Sequence, residues 1–170
     1  MTQHSLLPLD GPSCIKVLRR RYHSTVSPSL ASYSSTSSAS NLSSMHPEPR
    51  HIFRMWQIFT ERTNPMVKVI HAPTVHQRIM DTCWNLEHCS YSFHALLFAI
   101  YLLAVVSLSS EECVSIFGSD RSTLMARYGN AAWLSMLASN VLETRDLEVL
   151  QALVLFIVRQ LARHGCAVHD

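Results

Sequence analysis

The sequence predicts an all-α fold: a bundle of five to six helices following a disordered, Ser-rich N-terminal arm. Three observations carry that prediction. Apolar residues after Pro49 recur at helical spacing over most of the remaining chain. Only four glycines occur in 170 residues, too few for a meandering sheet with many tight turns. An unbroken apolar run, Ala95 to Val106, supplies a helix that a bundle can be built around.

Residues 1–47 form one compositional unit. From Ser27 to Ser44 the chain is mostly serine, broken by single Ala, Thr, Tyr, Leu and Asn residues. Such a tract buries too little apolar area to offset the entropy of ordering its backbone, so it is expected to be disordered. Lys16 and Arg19–Arg21 make a small basic cluster, and Asp10 is the one acid before Glu48. That pattern fits a nuclear-import patch, a mitochondrial transit segment, or a solvated linker whose charge is incidental.

Helices are expected from Pro49 onward, since proline is tolerated in a first helical turn. Ile52, Met55, Trp56 and Phe59 fall at i, i+3, i+4 and i+7 and define one apolar face, which Asn64-Pro65 is expected to end. After the turn His71-Ala72-Pro73, Thr74 is placed to cap a second helix with the face Val75, Ile79, Cys83 and Leu86. Phe93 to Leu108 is apolar almost all round. Its uninterrupted part is shorter than the roughly 20 residues a bilayer requires, which makes it a buried central helix rather than a membrane span. Ser109 and Glu112 have capping-box spacing and open a short helix that Gly118 closes. Leu124, Tyr128, Ala131, Leu134, Ala138 and Val141 mark the next amphipathic helix. The last runs from about Asp146 to His164, with Leu147, Leu150, Val154, Ile157 and Leu161 as its main stripe and Val149, Leu153 and Phe156 off that stripe. Arg159, Arg163 and His164 suit its negative end, and Gly165 stops it. A helix apolar on two sides expects neighbours on both.

Chemistry is sparse. A net charge of +2 is too small to announce a nucleic-acid partner. The five cysteines (Cys14, Cys83, Cys89, Cys113, Cys166) are odd in number and scattered, which fits free thiols in a reducing compartment. Cys83, His88, Cys89 and His94 are close in sequence and are all zinc-ligand types. Their positions on the expected helices do not converge, however, and His164, Cys166 and His169 lie on a fraying end. No nucleophile elbow, phosphate loop or dinucleotide turn is present, so no enzyme activity is expected, and no catalytic, cofactor-binding or metal-binding residue is assigned. His71-Ala72-Pro73-Thr74 is read as a rigid turn, with His71 bonding a backbone carbonyl. Trp56, Trp84 and Trp133 are read as core or core-edge packing.

One resemblance gives these helices a context. The segments Ile52-Phe53-Arg54-Met55-Trp56, Asn64-Pro65 followed by His71-Ala72-Pro73-Thr74, Ala95 to Tyr101, Ser109 to Cys113 and Leu150-Gln151-Ala152-Leu153 occur in register. Together they resemble the opening helices of the fungal-specific transcription factor domain, the regulatory middle homology region of binuclear zinc cluster transcription factors. The likeness spans Pro49 to Gln160. It implies a transcription regulator of metabolic or secondary-metabolite genes, located in the nucleus and associating with a protein partner or as a homodimer through helical surfaces, with no membrane partner. Members of that family hold zinc in a six-cysteine DNA-binding segment, whereas here Cys14 is the one cysteine before Cys83. The resemblance therefore implies no cofactor in this chain, and DNA contact only indirectly or through a missing module.

The family's helical domain normally continues further, so the chain is expected to be a truncated member: residues 1–47 the arm, 48–165 the first part of the regulatory domain, 166–170 a tail. A second reading of the same residues is a small helical mitochondrial protein whose first 45 or so residues are removed on import.

Overall fold

A computed structural model describes residues 42–165, with side chains as far as Leu161. The arm's expected disorder, the basic cluster at Lys16 and Arg19–Arg21, Cys14, and the His164, Cys166 and His169 side chains lie outside the described residues. Among the described residues all regular structure is helical, as the sequence predicts.

Helix α1 (Pro49–Ile58) starts with proline in its first turn and buries Ile52, Met55, Trp56 and Ile58. It does not end at Asn64-Pro65. The chain widens into a π turn, Phe59–Thr63, and continues through a single α-turn, α2 (Asn64–Val67). An ordinary α-helix would drive the Pro65 ring into the carbonyl four residues back. Opening the preceding turn relieves that clash, as π-bulges do elsewhere. Termination comes at Lys68, which adopts a left-handed conformation with φ 42°.

Helix α3 (Ala72–Thr82) begins three residues earlier than the Thr74 cap predicts. His71 is its N-cap, Pro73 sits in its first turn, and the His71 ring bonds the Thr74 hydroxyl at 2.8 Å rather than a carbonyl. Val75, Ile79 and Cys83 are buried as expected. Leu86 is half-buried, because the chain leaves the helix at Cys83 and passes through a 3-10 turn, Leu86–His88.

Helix α4 (Tyr91–Val106) is the axis of the fold: every residue from Phe93 to Val105 is buried. The Ser90 hydroxyl accepts from the Phe93 amide at 3.2 Å to cap its start. Its C-terminal carbonyls would be orphans in an apolar surround. Two arginines satisfy them: Arg121 donates to the Val106 carbonyl at 2.8 Å, and Arg62 to that of Ser107 at 3.0 Å.

Helix α5 (Ser110–Phe117) has the expected reciprocal cap. The Ser109 hydroxyl accepts from the Glu112 amide at 3.1 Å, and the Glu112 carboxylate accepts from the Ser109 amide at 2.8 Å. Gly118 ends it at φ 66°, where a Cβ would meet no atom within 4 Å. Only backbone strain then opposes a side chain there. Gly118→Ala is expected to destabilise by about 1 kcal/mol, read as a lower urea midpoint at unchanged m.

Helix α6 (Arg121–Ala138) is capped by Asp120, whose carboxylate accepts from the Ser122 amide at 2.9 Å. Its buried face differs from the predicted one. Leu124, Tyr128 and Ala131 are buried as expected, but Leu134 is half-buried and Ala138 exposed. The face is completed by Gly129, Ala132, Ser135 and Met136. Small residues set this rotation, since they let α6 lie close along α4 in the most extensive interface of the fold.

The last helix, α7 (Leu147–Gly165), makes the second-largest interface with α4, while α1 and the π turn cover another side. The ordered core also reaches back before Pro49. Leu42 and His46, which composition places in the arm, are buried. Single apolar and aromatic residues in a serine-rich stretch carry no periodicity that would announce this.

Candidate interaction surface

The α7 face that the sequence marks as principal is the one turned to solvent. Leu147, Leu150, Val154, Ile157 and Leu161 are 65, 41, 42, 38 and 66% exposed, whereas Val149, Ala152, Leu155, Phe156 and Arg159 are buried. Periodicity cannot choose between two apolar faces of one helix. Packing chooses, because Ala152 at the centre of the buried face admits α4 closely while a leucine stripe would hold it off. Polar ties fix the rotation: Gln151 donates to the Val69 carbonyl at 3.0 Å, and Arg78 of α3 pairs with Glu148. Arg159, expected to serve the helix end, lies instead in the buried face.

Every residue of α7 from Leu147 to Leu161 that is classed as exposed rather than half-buried is therefore aliphatic. Glu148, Gln151, Leu153, Val158 and Gln160, at its margins, are half-buried. At 1.5 Å rise per residue the stripe is about 21 Å long. Contiguous apolar patches of this kind on otherwise polar surfaces mark sites of association.

A second cluster lies in the core. The His46 Nε2 is 2.8 Å from His94 Nδ1, and His46 Nδ1 is 3.3 Å from the Tyr101 hydroxyl. The His46 ring stacks on Phe98 at 4.1 Å between centroids. Burial, then the neighbouring His94 and the Arg127 guanidinium, push the His46 pKa down to about 3, and burial lowers that of His94. Both imidazoles are thus neutral at physiological pH, and the hydrogen-bonded pair fastens the segment before Pro49 to α4. Arg127 of α6 adds a bond from Nε to the Met45 carbonyl at 3.1 Å.

The ligand-type residues singled out in the sequence are dispersed. Cys83 is buried with its thiol toward the Met80 carbonyl, and His88 is exposed and bonds the Asn85 side chain at 2.8 Å. Cys89 is half-buried beside the Thr82 hydroxyl, and His94 is turned to His46. Among the described residues no group of three or more His, Cys, Asp or Glu side chains converges to hold a metal ion. Burial raises the pKa of Cys83, Cys89 and Cys113, which keeps them as unreactive thiols. Trp56 is buried and Trp133 half-buried, but Trp84 is 78% exposed, because α3 ends just before it. Among the described residues no helix is long and apolar enough to cross a membrane.

Comparison with known proteins supplies the context for this surface. The chain is 39% identical over 118 residues to the transcriptional regulator AacuB of Aspergillus aculeatus, covering 69% of this chain and 16% of that protein. It is 40% identical over 130 residues to the aurofusarin cluster transcription factor aurR2 of Gibberella zeae, covering 76% and 19%. The chain is similar to part of fungal gene-cluster transcription factors. A third relative, the pyriculol/pyriculariol biosynthesis cluster transcription factor 1 of Pyricularia oryzae, is 37% identical over 127 residues, covering 75% of this chain and 17% of that protein. The chain thus spans less than a fifth of the length of these relatives. No family model matches it, and no solved structure does.

Proposed function

We propose that this chain is a transcription regulator of metabolic or secondary-metabolite genes that works in the nucleus through protein contacts. The observation that carries this reading is the identity of 37 to 40%, over 69 to 76% of the chain, to three proteins named as transcription regulators or cluster transcription factors. The helical bundle with one aliphatic face open to solvent supports the protein-contact part. DNA is reached through a partner or a further module, a reading supported by the small net charge of +2 and by the lack of a converging zinc-ligand group among the described residues. The reading requires no bound cofactor, and it assigns no catalytic or metal-binding residue.

Tethering tests it. The full chain is fused to a heterologous DNA-binding domain upstream of a reporter, and a tagged copy is imaged in a fungal host. A several-fold change in reporter output with nuclear signal is expected. A silent reporter despite stable protein overturns it, as does mitochondrial signal with loss of an N-terminal segment.

A further inference from the structure

We infer that the cleft between the segment before Pro49, the end of α5 and the first half of α6 binds a small aromatic carboxylate, whose acid group Arg127 and Tyr128 hold. This site goes beyond the regulatory role proposed above and does not depend on it.

The cleft has a volume of about 270 Å³, and His46, Glu48, His51, Phe117, Arg127 and Tyr128 are among the residues that line it. That lies near the lower end of ligand pockets, with room for a molecule of roughly one or two rings. Arg127 is the first argument. Its Nε donates to the Met45 carbonyl at 3.1 Å, which fixes the plane of the guanidinium. Among the described residues no acceptor bonds its two terminal amino groups, and no carboxylate pairs with it. A fork held at its root with two donors open matches a carboxylate. Its charge also reaches the inner wall, where it helps to lower the His46 pKa. Glu48, the acid on this cleft, is engaged with Arg50 at 2.7 Å.

Tyr128 is the second argument. It is only 1% exposed and lines the cleft, yet among the described residues its hydroxyl makes no hydrogen bond. A buried hydroxyl without a partner is costly, and an acceptor placed in the cleft relieves that cost. The walls are the third. The His51 ring stands edge-on to Phe117 at 5.4 Å between centroids, and the Tyr128 ring is held by Phe98 at 6.5 Å and Tyr101 at 5.5 Å. Fixed aromatic faces beside a cation favour a flat ring that carries an anion over an aliphatic acid or a bare ion.

The test is titration of the full, isotope-labelled chain with 2-naphthoate, followed through amide chemical shifts. Two controls separate the contributions: 2-naphthamide has the ring without the charge, and acetate the charge without the ring. Saturable shifts are expected at residues 46–51, 117–119 and 124–128, with a dissociation constant of about 0.1 to 1 mM for so small a ligand. Both controls are expected to bind at least about 10-fold more weakly. The same loss is expected for Arg127→Gln, which keeps an amide able to serve the Met45 carbonyl. Tyr128→Phe is expected to weaken binding by about 3- to 10-fold without lowering the melting temperature, because its hydroxyl bonds nothing in the free protein. If the spectrum of Arg127→Gln shows an unfolded chain, Tyr128→Phe and the two controls decide.

An absence of saturable shifts up to about 10 mM 2-naphthoate overturns the inference. So do shifts centred on the α7 stripe, a control that binds as tightly as 2-naphthoate, and a folded Arg127→Gln or Tyr128→Phe that binds like the native chain. Binding together with a silent tethered reporter would leave this site standing and remove the proposed function; an active reporter without binding would do the reverse.

Discussion

Phe98→Ala is expected to destabilise the fold by about 3 to 5 kcal/mol, the range for deleting a fully enclosed aromatic ring. Phe98 lies in the middle of α4 with no exposed surface. Its ring stacks on His46 at 4.1 Å, meets Tyr101 edge-on at 5.9 Å and lies against Tyr128 at 6.5 Å. Its removal empties a space bordered by α4, α6 and the segment before Pro49, and three elements cannot close together without undoing their other contacts. Since whole domains are stable by only about 5 to 15 kcal/mol, this one change removes a large share. Urea unfolding followed by circular dichroism checks it. Leu150→Ala on the open face of α7 is the control and should cost under about 1 kcal/mol at low protein concentration. Equal losses at the two positions would refute the assignment of inside and outside.

Acid is expected to unfold this protein before its carboxylates titrate. The folded His46 has a pKa of about 3, below the 6.5 of an unfolded histidine, and His94 is shifted the same way. Between those values the unfolded chain binds more protons than the folded one, so stability is fully present above pH 6.5 and falls as pH drops. Each histidine contributes up to about 1.4 kcal/mol per pH unit within the window. Among the described residues the groups that act on the pair are Tyr101 and Phe98 on α4 and the Arg127 guanidinium on α6, and the carboxylate on the same cleft as His46, Glu48, is paired with Arg50.

Glu112, held down to about 2 by Arg62 and the Ser109 amide, adds its own acid sensitivity only below about 4.5. The slope between pH 6.5 and 5 therefore reads the histidines. His46→Phe keeps a ring against Phe98 and is expected to remove the His46 share, about half of that slope, while buried His94 keeps the rest. An unchanged slope would show that the pair does not control it.

The sequence makes much of the bundle legible, and its failures have physical causes. Helix α4 is readable because a run apolar all round admits one placement in a water-exposed domain. The Ser109–Glu112 box and Gly118 are readable because the caps are local chemistry, independent of neighbours. The α1 face is readable because one side of it is polar. Rotation of α7 is not readable, since both of its faces are apolar and the choice depends on Ala152 fitting α4. The π turn before Pro65 is likewise a negotiation between a proline ring and an otherwise continuous helix.

The His46–His94 pair is the clearest omission. Its members are 48 residues apart, one in a serine-rich stretch and one beside an apolar run, and only folding brings them to 2.8 Å. For the candidate surface, the residues of the stripe are named correctly by periodicity alone, but their direction is inverted. Which side of an amphipathic pattern faces water is decided by the surroundings, not by the pattern.

Hydroxyl-radical footprinting of the full chain at 1 µM, read residue by residue in a mass spectrometer, tests the central claim most directly. The predicted result is strong labelling of Leu147, Leu150, Val154, Ile157 and Leu161 and little at Val149, Leu155, Phe156 or anywhere from Phe93 to Val105. Labelling of Phe98 and its α4 neighbours at the level of the α7 stripe, or a stripe that is silent while Val149, Leu155 and Phe156 react, would contradict it.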